Sequence, residues 1–225
     1  MLKIKKTAVT GGLACGKSAV CQIFAQLGAY VVSADKLVHE LLSPTTPLGQ
    51  AVIHLLGGDV LVPEVIVPQD STCNEIASGK IETAPGRLRF DRALIAKKVF
   101  NNSSLLFSLE KLVHPAVQDE IEKLYRCVCA ASSTSLFVAE IPLLFEAGLV
   151  DFYDVTVVVA ADPRTCCRRF CAATGYEAAE FDRRMHRQMP LQEKAALADF
   201  VLYNDGDYAD LEKATRELYQ KILNV

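Results

Sequence analysis

Long apolar runs are missing from this chain. Although 51% of its 225 residues are hydrophobic, no stretch approaches the roughly 18 residues that a membrane-crossing helix needs, so no membrane partner is expected. An excess of either charge is missing too: 24 Lys and Arg face 27 Asp and Glu, a formal net charge of -3, so no global field favours nucleic acid or an anionic surface. Any hold on phosphate has to be local. The eight cysteines include no C-x-x-C pair and no matching histidine spacing, which argues against a zinc site. They are expected mostly as small apolar residues in a reducing compartment. Nothing at the start reads as a cleavable leader, because Lys3, Lys5 and Lys6 are followed by a glycine loop rather than an apolar segment. No internal repeat is present. These absences favour a cytoplasmic protein, and its length suits a single core carrying insertions.

What the chain does have is Thr10-Gly11-Gly12-Leu13-Ala14-Cys15-Gly16-Lys17-Ser18. This fits G-x-x-x-x-G-K-[ST], the loop that cradles nucleotide phosphates. Ile4 to Val9 before it reads as a short strand, and Ala19, Val20, Ile23, Phe24 and Leu27 after it recur at the spacing of one helix face. Gly11 and Gly16 allow backbone angles that a side chain forbids, so consecutive N–H groups can turn inward beside the partial positive charge of the helix start. Lys17 adds a charge for the outer phosphates and Ser18 a hydroxyl for the accompanying magnesium. A glycine turn that merely precedes a helix is the competing reading, and the flanking strand and helix disfavour it. Cys15 lies inside the loop, where positive potential is expected to lower its thiol pKa and make it oxidisable.

Gly28 is placed to close the first helix, and Tyr30 to Ser33 reads as a short buried strand. In an open parallel sheet the ligand crevice lies outside the carboxyl ends of the strands, so Asp35 should face the same crevice as the glycine loop. Capping a helix over Lys36 to Leu42 is its other reading. Strand patterning then stops for about a hundred residues, too long for one crossover, so something is inserted. Within the insertion Pro47 to Leu56 and Asp91 to Phe100 read as helices, and Asp59 to Arg89 as loops with short strands at best. Two more helices, near Leu105 to Val113 and Ala116 to Ala130, hinge at His114-Pro115. Strands resume over Ser135 to Glu140, Asp154 to Ala160 and Phe200 to Tyr203, giving a five-stranded parallel sheet with helices on both faces.

Glu140 sits near a strand tip, as Asp35 does, and reads either as a second carboxylate for magnesium or as an ion-pair partner at a helix start. Asp162-Pro163 starts a helix. Beyond it, Arg164, Arg168, Arg169, Arg183, Arg184 and Arg187 place six of the chain's eleven arginines within 24 residues. The planar fork of arginine suits phosphate, so the segment reads as a flap over a triphosphate. Pairing with Glu177, Glu180 and Asp182 on a solvated helix face is the competing reading. Asn204-Asp205-Gly206 turns the chain back toward the crevice. Asp207 then caps a closing helix with Leu211, Ala214, Leu218 and Ile222 on one face.

In order, the chain carries TGGLACGKS, LGAYVVSADKLVHELL, FDRALIAKKVF, LEKLVHPAV, EIPLLFEAGL, an arginine-rich stretch ending RRMHRQM, and ADFVLYNDG. From Thr10 to about Gly206 it resembles the dephospho-coenzyme A kinases. The glycine loop is shared by many families, whereas PLLFE, HP and ADxVxxN in this order are much more specific. The resemblance implies an α/β, P-loop NTPase-type three-layer fold with core 1–36, an inserted helical acceptor domain 37–131, core 132–162, a lid 163–195 and core 196–225. It also implies transfer of the γ-phosphoryl group of ATP, with Mg2+, to the ribose 3′-hydroxyl of dephospho-coenzyme A, the final step of coenzyme A biosynthesis.

Residue by residue, Asp35 matches the family's proposed base, and Lys17, Arg169 and Arg184 complete the implied catalytic set. The ATP site would comprise Gly11, Gly12, Leu13, Ala14, Cys15, Gly16, Lys17, Ser18, Asn204 and Gly206. Asp35, Arg92, His114 and Leu143 would meet the acceptor; Ser18 would bind magnesium, with Asp35 and Glu140 as further candidates. A local cap at a helix break is the other reading of His114. Three departures stand out: Ser33 replaces the first acid of the usual Asp-Ala-Asp, Ala173 stands where many members have a second lid arginine, and Asp59 to Arg89 is longer than usual.

A phosphate-loop kinase of nucleosides or nucleotides would share Lys17, Ser18 and the lid arginines, and differs only in acceptor. A guanine-nucleotide switch would need Asn-Lys-x-Asp after a core strand. Asn204-Asp205-Gly206-Asp207 does not match it.

Overall fold

Strands buried on both faces read as continuous apolar runs rather than alternating ones, and the centre of this protein is made of such runs. The computed structural model describes residues 4–66, 82–100, 102–131 and 134–224. They form two compact units, residues 1–36 with 119–225 and residues 37–118. The first unit holds β1 (Lys5–Gly11), β2 (Tyr30–Ser33), β5 (Leu136–Glu140), β6 (Val155–Ala160) and β7 (Phe200–Tyr203), in the order β2-β5-β1-β6-β7. Every pairing is parallel. All six residues of β6 are buried, each valine contributing about 1.5–3 kcal/mol of apolar burial. The five strands lie where the sequence pattern puts them.

Helix α1 (Lys17–Gln26) buries Val20, Cys21, Ile23 and Phe24, and Gly28 beyond its end has φ 92°, a left-handed conformation that glycine adopts without penalty. At the other end of the chain α9 (Tyr208–Asn224) buries Leu211, Thr215, Leu218, Tyr219 and Ile222. Tyr219 meets Phe24 of α1 with ring centroids 6.2 Å apart. β7 is tied to β6 by Asp199, whose Oδ2 accepts both the backbone N–H and the hydroxyl of Thr156 at 2.7 Å.

The amino ends of the strands carry a buried charge. Lys6 donates to Glu122 at 2.7 Å, with side-chain exposures of 5% and 35%, and its ammonium lies 5.2 and 5.0 Å from the ring centroids of Tyr125 and Tyr153. The Lys6 bond holds the Glu122 carboxyl below the usual carboxylate range.

The unit 37–118 contains α3 (Pro47–Leu56), capped by Thr46, whose hydroxyl accepts the Gly49 N–H at 3.0 Å; such a cap contributes about 1 kcal/mol. Its core gathers Val52, Leu56, Val60, Phe90 and Val99. Two expectations are corrected in this part of the chain. The sequence pattern of Asp59 to Arg89 suggests loops with short strands at best, but β3 (Leu61–Ile66) and β4 (Glu82–Phe90) form an antiparallel pair, and β4 is nine residues long. Its Pro85 and Gly86 fall where the register shifts between Pro63 and Val65, so the ladder pairs on either side of them and tolerates both residues as a bulge. Residues 67–81, including Pro68, Cys73 and Gly79, lie outside the described residues.

The second correction is at His114-Pro115. After α4 (Arg92–Phe100), a single helix α5 (Ser103–Ala131) runs through Pro115 instead of breaking there. Proline removes one backbone donor, but Val113, Val117, Ile121 and Val128 stay buried on either side of it. The apolar stripe is continuous, and its burial outweighs the lost bond.

Candidate active site

A phosphate loop has to pack its own backbone tightly before it can present N–H groups outward, and the glycines show where. Gly11 has φ 142°, and a Cβ on it would lie 2.1 Å from the carbonyl oxygen of Val159 in β6. Gly16 has φ 100°, and a Cβ there would lie 2.2 Å from Nδ2 of Asn204. No larger residue fits either place. Ala14 also adopts a positive φ, 57°. Gly16 opens α1 with no side-chain cap and no acid in the first turn, which leaves the positive end of the helix available to an anion.

The loop is braced from beneath. Asn204, buried at the tip of β7, donates its Nδ2 to the Cys15 carbonyl at 2.8 Å, while its own backbone N–H donates to Ala160 at 2.8 Å. Arg169, on α6 (Pro163–Thr174), donates to the Asn204 carbonyl at 3.1 Å. Asn204 therefore joins the loop to the arginine helix, by its side chain on one side and its backbone carbonyl on the other. Nearby Gly206 is crowded by Asp210, whose Oδ2 would stand 2.5 Å from an added Cβ.

Lys17 folds over the loop, its ammonium 2.8 Å from the Gly12 carbonyl and 3.3 Å from that of Gly11. Ser18 donates its hydroxyl to Oε1 of Glu140 at 2.8 Å. That contact brings the loop to the carboxyl end of β5. β2 pairs with β5 so that Ser33 stands opposite Glu140, and Asp35 follows two residues on. Asp35 is exposed in the first turn of α2 (Ala34–Leu41). It is thus inside the helix rather than the cap of one beginning at Lys36, because the helix starts directly from the strand.

The oxygens of Ser18 and Glu140 are hard donors of the kind magnesium takes, and magnesium commonly needs only one or two protein oxygens beside those of phosphate and water. Among the described residues no cluster of three or more His, Cys, Asp and Glu is placed to hold a metal. The residues present fit a nucleotide-borne magnesium rather than a dedicated metal cage.

Cys15 departs from expectation. Its thiol is fully buried and donates to the Gly12 carbonyl at 2.9 Å. Burial raises its pKa, outweighing the opposing charge of Lys17. An easily oxidised thiolate is not what this loop contains. The seven described cysteines are free thiols.

The arginines of the 163–195 segment have different surroundings. Arg169 is half-buried against Asn204. Arg184, on α7 (Ala178–Met185), donates to Glu180 at 2.8 Å and lies 5.3 Å from the ring centroids of both Phe170 and Tyr176. Arg183 also pairs with Glu180. Leu143 is half-buried in the turn after β5. Arg92 is exposed at the start of α4 and His114 half-buried in α5, both in the unit 37–118.

Sequence reasoning missed the bracing role of Asn204 and gave no role to Glu146, Thr10 or Lys194. Lys194 lies three residues after Leu191 in α8 (Leu191–Leu197), a spacing that puts it on the same helix face. That was the available signal.

Comparison with known proteins agrees with this geometry. A family profile described as Dephospho-CoA kinase matches residues 6–64 and 48–210. A Dephospho-CoA kinase of Protochlamydia amoebophila is 41% identical over 99% of this chain and 98% of its own length. Among solved structures, TT1252 from Thermus thermophilus is 27% identical with a TM-score of 0.74, covering 96% of this chain and 97% of its own. A Dephospho-CoA kinase from Campylobacter jejuni, 24% identical with a TM-score of 0.63 and 97% of each chain covered, shares the fold. With its glycine loop, strand-tip acids and near full-length kinship, the chain belongs to the dephospho-CoA kinase family.

Proposed function

We propose that this chain transfers the γ-phosphoryl group of ATP to the ribose 3′-hydroxyl of dephospho-coenzyme A, giving coenzyme A and ADP in the final step of coenzyme A synthesis. The observation that carries the reading is the Ser18–Glu140 bond at 2.8 Å, which gathers the phosphate loop and the tips of β5 and β2 at one edge of the sheet. A sugar hydroxyl is a poor nucleophile at neutral pH. Asp35 is suited to accept its proton while the hydroxyl oxygen forms a bond to the γ-phosphorus and the bond to the bridging oxygen of ADP breaks. The loop amides of Gly11 to Ser18 and the ammonium of Lys17 hold the outer phosphates, and Arg169 and Arg184 offset charge as the phosphoryl group moves. Ser18 and Glu140 would hold magnesium, with Asp35 as a further candidate, and the ion would neutralise charge on the outer phosphates. Asn204 and Gly206 support the nucleotide side of the loop. Arg92, His114 and Leu143 are assigned to the acceptor by likeness to the family.

A cytoplasmic enzyme using ATP and dephospho-coenzyme A is the setting this reading implies. The deciding experiment measures ADP formation with dephospho-coenzyme A against a panel of nucleosides and nucleoside monophosphates; faster turnover of a nucleotide overturns the reading. On the same assay Asp35→Asn should keep ATP binding and lower turnover by on the order of 100-fold, with circular dichroism confirming the fold.

A further inference from the structure

Taking an ammonium group out of water is unfavourable unless its charge is paired and its protons are accepted. Lys194 is fully buried, and none of the chemistry above uses it. Its Nζ reaches two acceptors of one loop, Oε1 of Glu146 at 2.7 Å and the carbonyl of Pro142 at 3.1 Å. That loop, residues 142–148, follows Glu140 and consists of turns, closed on itself by backbone bonds from Ala147 to Leu143, Gly148 to Phe145 and Leu149 to Leu144, none of which ties it to the phosphate loop or the arginine segment. Thr10, immediately before the phosphate loop, donates its hydroxyl to the same Pro142 carbonyl at 3.1 Å. Glu146 Oε1 also accepts the backbone N–H of Met189 at 2.9 Å, where the arginine-bearing segment returns to the sheet. Leu191, one turn before Lys194, approaches Gly12: a Cβ there would meet its Cδ1 at 4.0 Å. One ammonium therefore joins three pieces of chain, the approach to the phosphate loop, the loop after β5 and the root of the arginine segment.

An apolar side chain of similar length would fill the same space with less electrostatic penalty. What it would lack is direction, since only a donor can hold two oxygens of an irregular loop at set angles. We propose that Lys194 is a positioning residue for phosphoryl transfer, holding loop 142–148 and the return of the arginine segment so that Glu140 and the arginines stay aimed at the outer phosphates. It acts through Pro142 and Glu146.

The test compares Lys194→Met, Lys194→Arg and Glu146→Gln in the full chain, with ATP, magnesium and dephospho-coenzyme A, well below each melting temperature. Misplacement at a reacting centre lowers kcat by about 10- to 100-fold, so Lys194→Met should lose kcat on that scale while KM for ATP stays within about threefold. Lys194→Arg should restore most of it. A lysine that serves stability alone would lower the melting temperature and leave kcat per folded molecule unchanged, and a folded Lys194→Met with wild-type kcat overturns the proposal. Should Lys194→Met not fold, Glu146→Gln carries the test by the same criterion. The inference rests on the kinase reading, and the wild-type control separates the two: no wild-type turnover rejects that reading, whereas an active wild type with an equally active Lys194→Met rejects only the positioning role.

Discussion

The two ends of the parallel sheet are built on opposite terms. At the amino ends Lys6 is enclosed by Glu122, Tyr125 and Tyr153, and the backbones of Lys6 and Asp154 are tied by the Asp154 N–H and carboxylate at 2.8 and 2.9 Å. The buried ammonium there is answered from within the protein. At the carboxyl ends α1 begins without a side-chain cap, Asp35 is exposed, and two oxygens meet at Ser18 and Glu140. Groups left facing outward are poor for stability and necessary for binding an anion. The difference teaches that one sheet separates holding together from doing chemistry, and substitutions at the two ends should fail in different currencies.

The comparison breaks most visibly at Lys17. Lys17→Ala should lower turnover by two to three orders of magnitude with its melting temperature essentially unchanged; wild-type activity in this variant excludes the proposed phosphate site. Arg169 and Arg184 sharpen it next. Arg169→Ala is expected to lose more turnover than Arg184→Ala, about 30-fold against about 10-fold, because Arg169 bonds to the residue bracing the loop while Arg184 is stacked and paired within its own segment. Steady-state kinetics giving the reverse order would transfer the main lid role to Arg184.

At the amino end the loss should be of stability alone. Glu122→Gln should cost about 1–2 kcal/mol after allowance for a carboxylate with 35% of its side chain exposed, with kcat per folded molecule intact. Because the folded-state pKa of Glu122 is depressed by its bond from Lys6, that contribution is present above the ordinary glutamate value and disappears as pH falls through the lower folded value. Denaturation midpoints of wild type and variant should therefore converge in acid, and a constant gap down to pH 2 would contradict the pairing. The smallest effect belongs to Cys15. With its thiol pKa raised by burial, it carries less thiolate at neutral pH than an exposed cysteine, so mild peroxide at pH 7 should leave turnover unchanged; loss of activity with Cys15 oxidised in the peptide map would be evidence against the buried site.

Much of this was legible because it is local. Each core strand is a contiguous apolar run, and the phosphate loop is one nonapeptide in which type and spacing dictate conformation. Asp35 and Glu140 were findable because a parallel sheet puts the ends of its strands together. What escaped depends on residues distant in the chain: Asn204 reaches Cys15 across 189 positions, and Lys194 reaches Pro142 across 52. Neither spacing announces itself. Pro115 and β4 misled for the converse reason: burial carried the helix through the proline, and Pro85 and Gly86 mark a register shift within a strand pair rather than a loop. At Cys15 the sign of the shift depended on depth, which no motif records.

With β1 in the middle of the sheet, the two acids arrive from the β2–β5 flank, while the arginine helix and Asn204 arrive from the β6–β7 flank. Under the proposed roles, the base therefore comes from one wing and the residues bracing the phosphate loop from the other. The wings are not separate levers, because Lys194 reaches from α8 to the loop after β5 and carries a change on one flank across to the other.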